Sequence, residues 1–165
     1  MADLLIFGYG NPGRGDDALG PALLDLLESH LDPDTRQAAG GIECLTDFQL
    51  QVEHALDLAG RKLVLFADAH ARCDPPYRFE RLAPAGAMAY TTHALSPAAV
   101  LGVYQRINGV APPPCFLLGI RGDDFELGAA LSQAAQGHLQ AALRLVLDLC
   151  RHPHPDHWQA YVSNG

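Results

Sequence analysis

The sequence predicts a three-layer α/β/α sandwich around a twisted, mostly parallel sheet of about five strands. Three observations carry that expectation. Short apolar runs at residues 4–8, 63–67 and 115–120 have the pattern of strands covered on both faces. Segments with apolar residues at helical spacing fall between them, and strands alternating with helices imply parallel pairing. The chain has 165 residues, enough for one α/β core of ordinary size and too few for two. The expected organisation is a single α/β domain over residues 1–150 followed by a flexible tail over 151–165.

The elements follow in order. Leu4-Leu5-Ile6-Phe7-Gly8 is the first strand, and a glycine-rich loop over 10–15 leads into a helix. Leu19, Leu23, Leu26 and Leu27 form its apolar face, Asp25, Glu28 and Ser29 its polar face, and it ends near His30. A turn-rich stretch through Asp32-Pro33-Asp34 leads towards a second strand around residues 35–39. Thr46 with Gln49 matches a capping box, and Phe48, Val52, Ala55, Leu56 and Ala59 then share one helical face up to the Gly60 stop. Leu63 to Ala67 is the strongest buried-strand signal, with Asp68 directly after it. Tyr77 to Leu82 alternates like an edge strand. Ser96-Pro97 opens a third helix whose face is Val100, Leu101, Tyr104 and Ile107, stopped at Asn108-Gly109. Cys115 to Ile120 is the next buried strand. A helix from about Ala129 to Cys150, striped by Leu139, Ala142, Leu143, Val146 and Leu147, closes the domain. The segment from Arg151, with His152, His154 and His157, has no such stripe and reads as solvated tail.

Composition excludes several classes of function. The formal charge is −8, and the basic residues are one lysine, Lys62, and ten scattered arginines, so no basic stripe exists to neutralise phosphates. Direct binding to a membrane surface is disfavoured for the same reason. Four cysteines (Cys44, Cys73, Cys115, Cys150) lie far apart without a Cys-x-x-Cys pair and read as reduced thiols, Cys73 as an exposed loop thiol. The N-terminus lacks a basic segment followed by a long apolar one, and no stretch approaches the roughly 18 apolar residues of a spanning helix. A cytoplasmic protein is expected.

In an open α/β sheet, ligands collect beyond the carboxyl ends of the strands. Two segments point there: Gly8-Tyr9-Gly10-Asn11-Pro12-Gly13-Arg14-Gly15-Asp16-Asp17 and Ala67-Asp68-Ala69-His70. The glycine spacing of the first is like that of a dinucleotide loop, but two aspartates at the helix start would repel a pyrophosphate. Asp16 is expected to cap the first helix. Asp17 is either a second acid favoured by the helix dipole or a carboxylate facing the crevice. Asp68, ending an apolar strand, is partly desolvated and needs a donor, a cation or a raised pKa. Two carboxylates and one imidazole suit zinc, nickel, iron or manganese, with His93, just before the third helix, or His70 as the imidazole. His30, His54 and His138 lie on helical patterns and read as exposed or dipole-paired.

Gly8-x-Gly10-Asn11, Asp16-Asp17-x-x-Gly20, Ala67-Asp68-Ala69, Thr92-His93-x-Leu95 and a late block, Gly119-Ile120 with Asp124-Phe125-Glu126-Leu127-Gly128 and Leu131-Ser132, occur in that order. Together, from residue 4 to about 150, they resemble the nickel-iron hydrogenase maturation endopeptidases. The resemblance implies a phosphorylase/hydrolase-like α/β fold. It also implies removal of a short C-terminal extension from the hydrogenase large-subunit precursor once nickel has been inserted. Asp17, Asp68 and His93 would be the catalytic and metal-contacting set, with nickel brought by the precursor, no tightly bound cofactor of the protease's own, and a monomeric protein. Family members often have glutamate where Asp17 stands, so the carboxylate here is one methylene shorter. The family usually shows an acid before a Gly-Gly pair in a substrate-choosing loop, whereas Ala38-Ala39 precede Gly40-Gly41 here. Gly40, Gly41 and Asn11 are the expected substrate-recognition residues, with Glu43 or Asp47 as the compensating acid. Asn11 is also expected to order the first loop. The segment Gln49 to His54 is most similar to the branch serving soluble NAD-reducing hydrogenases. Peptidyl-tRNA hydrolase is the enzymatic alternative, on the block Gly8 to Gly13, but Arg14-Gly15-Asp16-Asp17 replaces its catalytic Arg-His-Asn stretch and the charge suits tRNA poorly. A metal-checking chaperone that binds the precursor without cutting it is the non-catalytic alternative.

Overall fold

Side chains alternate across a strand, and both sets are apolar along β1 (Leu4–Tyr9), so this strand must be covered on both faces. A computed structural model, which describes residues 1–85 and 95–163, shows how. β1 pairs in parallel with β2 (Ile42–Asp47) and with β3 (Leu63–His70). β3 pairs in parallel with β5 (Cys115–Arg121), and β4 (Tyr77–Arg81) lies antiparallel on the far edge. The sheet order is β2-β1-β3-β5-β4. Leu4, Ile6, Leu63, Leu65 and Ala67 form a core on one face with α1 (Leu19–His30) and α4 (Gln133–Arg151). Leu5, Phe7, Val64 and Phe66 form the core on the other, with a 3-10 helix (Val52–Leu58) and α3 (Pro97–Asn108). The predicted three-layer sandwich is the one observed.

Three local expectations are corrected. Residues 35–39 are not a strand: α2 (Pro33–Ala38) occupies them, because Asp32 accepts the Thr35 N–H at 2.7 Å and Pro33 stands in the first turn. The strand follows at Ile42. The helix expected after a Thr46–Gln49 capping box does not form there, since β2 runs on through Thr46 to Asp47. The 3-10 helix begins at Val52 instead, its start held by the Gln51 N–H donating to His54 Nδ1 at 2.8 Å. With three residues per turn, Ala55 and Leu58 share the inward face while Leu56 between them is exposed; Val52, at the helix start, and Phe48 before it are exposed as well. In the last turn of α3, Ile107 likewise points outward.

The segment expected to be a flexible tail instead packs on the core. Trp158, in α5 (Pro155–Gln159), is wholly buried against Phe116 and Phe79, with ring centroids 5.3 and 6.4 Å away. Its indole N–H donates to the carbonyls of Leu149 and His152. Beyond it, Ser163 N–H donates to the Phe79 carbonyl at 2.8 Å. A periodic stripe was the wrong signal to look for, because one large aromatic anchors the segment.

Asp16 does not cap α1. A 3-10 turn (Gly15–Ala18) precedes that helix, and the Asp16 carboxylate is wholly buried on its other side. Oδ1 accepts from Ser132 N–H at 2.7 Å, and Oδ2 from Asp123 N–H at 2.8 Å, Asp124 N–H at 3.1 Å and Ser132 Oγ at 2.7 Å. Ser132 in turn caps α4, accepting the Ala135 N–H. Burial raises the carboxyl pKa, but the backbone donors of Asp123, Ser132 and Asp124 outweigh it and hold the pKa below its usual value.

An acid whose pKa falls on folding stabilises the fold above its unfolded pKa, and the contribution disappears as pH falls through the folded value. Asp16→Asn is therefore expected to cost about 2 kcal/mol at pH 7, with the gap to wild type closing below about pH 4, read by urea unfolding at both pH values. Trp158→Ala is expected to cost about 3–5 kcal/mol in the same assay.

Candidate active site at the carboxyl edge of the sheet

Parallel register sets the site. Gly8 pairs with Ala67, so the next residues, Tyr9 and Asp68, stand side by side on the same face of β1 and β3. α1 crosses these strand ends at very close range. A Cβ on Gly20 would lie 2.6 Å from the carbonyl oxygens of Ala67 and Tyr9, and one on Gly8 would lie 2.6 Å from the Gly20 carbonyl oxygen. The two glycines let the helix begin directly over the sheet edge, and the 3-10 turn ahead of it carries Asp17 there. Gly10, at φ +142°, faces the Asp17 carbonyl where any side chain would collide. Asn11 N–H donates to Asp17 Oδ2 at 2.7 Å, and Asn11 Oδ1 accepts from Gly13 N–H at 2.8 Å. The Asn11 side chain thus orders the first loop and the backbone of the same residue fixes the Asp17 carboxylate.

Asp68 is held more tightly. Its Oδ1 accepts from Ala69 N–H at 2.8 Å, and the Tyr9 hydroxyl donates to the same carboxylate. Burial is the largest influence and the nearby charge of Asp17 adds to it. The two hydrogen bonds oppose them, and the carboxyl is left pushed up to about 7. Burial and the Asp68 charge together push the Tyr9 phenol well above its usual 10.0, so Tyr9 remains a donor. A carboxyl poised near 7 exchanges a proton readily at neutral pH, which suits a general base or acid. Asp17 and Asp68 also offer an arriving cation oxygen ligands whose ionised forms it would favour. Sequence reasoning missed Tyr9, because only the register of β1 against β3 sets it beside Asp68.

The other candidates sort differently. His93 lies outside the described residues. His70 Nδ1 accepts from Arg72 N–H at 3.0 Å and Cys73 N–H at 2.9 Å, so that nitrogen serves the turn after β3. Cys73 is buried, its thiol 3.7 Å from the Gly119 carbonyl oxygen, and is not an exposed loop thiol. Burial pushes Cys115 and Cys150 up to about 12, which leaves them poor nucleophiles. Gly40 and Gly41, expected in substrate recognition, lie away from the carboxyl edge. Their carbonyls accept the N–H groups of Asp3 and Leu4, at the amino end of β1, opposite the edge that carries Asp17 and Asp68. At the carboxyl edge Thr46, Asp47 and Phe48 line a groove of about 230 Å³ with Gly10, Pro12 and Pro21, and Gly10 in turn packs against the Asp17 carbonyl. Glu43 pairs with Arg61, whereas Asp47 is at the carboxyl edge and accepts from Phe48 N–H and His54 Nε2.

No protein-family model and no curated sequence matches the chain. Solved structures do. The hydrogenase maturating endopeptidase HybD from E. coli superimposes with a TM-score of 0.70 at 25% identity, covering 93% of this chain and 94% of that one. A hydrogenase 2 maturation peptidase from a Thaumarchaeota archaeon gives 0.61 at 28% identity, covering 88% and 96%. The solved structures that the chain resembles at this level are hydrogenase maturation endopeptidases. The maturation protease HycI from Thermococcus kodakarensis, at 20% identity, shares the endopeptidase fold with a TM-score of 0.66 over 91% of this chain and 93% of its own. No helix among the described residues is long and apolar enough to cross a membrane.

A carboxyl whose pKa rises on folding destabilises the fold progressively as pH climbs from its unfolded value of 3.8 through about 7. Asp68→Asn removes that cost. It is expected to gain about 1–2 kcal/mol at pH 8 and nothing near pH 4, measured by thermal unfolding.

Proposed function

We propose that the protein is the endopeptidase that removes a C-terminal extension from the nickel-loaded large-subunit precursor of a nickel-iron hydrogenase. The observation that carries this reading is the convergence of Asp17 and Asp68 on one sheet edge, with Asp68 held near neutral pKa, in the fold of the maturation endopeptidases. Nickel enters as part of the substrate. The two carboxylates complete the coordination of an ion already held by the precursor, and recognition thereby tests whether the metal has been inserted. The resemblance assigns His93 the third contact. The ion polarises the scissile carbonyl or acidifies a water, and Asp68 takes up the proton released on attack. Tyr9, donating to Asp68, keeps that carboxylate oriented without competing for the proton. The groove at Thr46, Asp47 and Phe48 shares Gly10 with the Asp17 turn and is the place for the extended precursor segment. Four unpaired thiols fit a reducing cytoplasm, where the reaction is placed.

The test is to incubate the protein with nickel-loaded and nickel-free precursor and read the precursor's mass. Loss of a C-terminal peptide from the loaded form alone is expected. Asp17→Asn and Asp68→Asn should each slow cleavage by about 100-fold or more. Binding with no change in mass would replace the protease reading with that of a chaperone, and normal cleavage by either variant would remove that residue from the chemistry.

A further inference from the structure

The far end of α4 gathers a second set of groups that the processing reaction does not use. Asp148 lies in the last turn of α4 and His152 is the cap four residues on, and α5 returns His157 to the same place because Trp158 beside it is anchored in the core. Asp148 Oδ2 stands 3.0 Å from His157 Nε2, and Oδ1 stands 3.4 Å from His152 Nδ1. The Tyr161 hydroxyl donates to Oδ2 at 2.6 Å. Among the described residues, the ligand atoms of this trio all lie within 4.8 Å of one another. Nitrogen and oxygen ligands about 2.0–2.1 Å from a tetrahedral ion are spaced by about 3.3 Å, and each imidazole already stands at about that distance from one oxygen of the Asp148 carboxylate, His157 from Oδ2 and His152 from Oδ1. The His152 and His157 rings stack with centroids 4.4 Å apart, and sharing an ion requires one ring to turn. His152, with 52% of its side chain exposed, has the room to do so.

We propose that Asp148, His152 and His157 form a binding site for a late first-row divalent cation, zinc or nickel, separate from the carboxylate edge of the sheet. Two imidazoles and one carboxylate suit such ions better than calcium or magnesium, which take oxygen ligands. Tyr161 holds the carboxylate as outer hydrogen-bond partners hold metal ligands elsewhere, and the fourth position is left to water. The 19 residues of α4, about 28 Å of helix, separate this site from Ser132 and Asp16 at the start of the same helix. A cation bound here joins the end of α4 to α5 and holds Trp158 over β4 and β5.

Metal-free full-length protein titrated with zinc chloride by calorimetry, and with nickel chloride while tryptophan emission is followed, tests this. Trp158 is the chain's single tryptophan and adjoins His157, so nickel at this site quenches it. His152→Ala and His157→Gln are each expected to weaken binding at least about tenfold and to remove the quenching. The Asp17→Asn/Asp68→Asn double variant and His154→Ala should bind and quench as wild type does. His152 is exposed, so its replacement leaves the fold intact even if that of His157 loosens α5. No binding by wild type up to about 1 mM metal, equal binding by His152→Ala, or loss of all binding in the double variant would each overturn the proposal. An equal loss in His154→Ala would reduce the site to nonspecific chelation by tail histidines and overturn it as well.

Discussion

The site depends on the buried carboxylate of Asp16. Its four accepted hydrogen bonds come from residues more than a hundred positions along the chain, and they join the turn after β1 to the loop that opens α4. An ionised group with no solvent contact is tolerable only when its lone pairs are satisfied in this way. Because the turn is 3-10, the next residue is rotated by about a third of a circle, and Asp17 faces Asn11 and the sheet edge while Asp16 faces inward. Two adjacent aspartates therefore have different work. The first fixes the backbone from which the second projects, which is how one short segment supplies both a structural anchor and a candidate ligand.

Asp68 shows the opposite balance. It ends an apolar strand and is half-shielded, its two hydrogen bonds do not offset burial and the charge of Asp17, and its proton is held to about pH 7. A group so placed subtracts from stability at neutral pH, which is the usual sign that its position serves chemistry rather than folding. The contrast with Asp16 is instructive because both are carboxylates in low-dielectric surroundings. Backbone donors converging on Asp16 pull its pKa down, while the two bonds to Asp68 leave it raised.

Much of this was legible in the sequence where one residue type had one physical use. Continuous apolar runs gave β1, β3 and β5, and Ser96-Pro97 gave the start of α3, because these signals act over a few residues. The placement of Asp17 and Asp68 at one edge followed from the rule that parallel strands deliver their carboxyl ends together. What failed depended on distant partners. Nothing local to Asp16 reveals Ser132, and Asp32-Pro33 was passed over as a turn although it is also a helix start. The second strand therefore starts later than expected, at Ile42, and Gly40 and Gly41, named for substrate recognition by the resemblance alone, lie before it at the amino end of β1.

The same polarity explains why the C-terminal histidines are not part of the carboxylate edge. α4 starts at that edge, where Ser132 bonds Asp16, and its length carries the chain to the opposite end before α5 begins. There the need is different: β4 is an edge strand, and Phe79 and Phe116 on β4 and β5 present apolar rings that must be covered. Trp158 covers them, and the residues around it, His152, His157 and Tyr161, are left to satisfy Asp148 at the surface. A closing element whose first demand is burial of one indole places few constraints on its polar neighbours, so three side chains with ligand chemistry can meet there without disturbing either the core or the distant carboxylates.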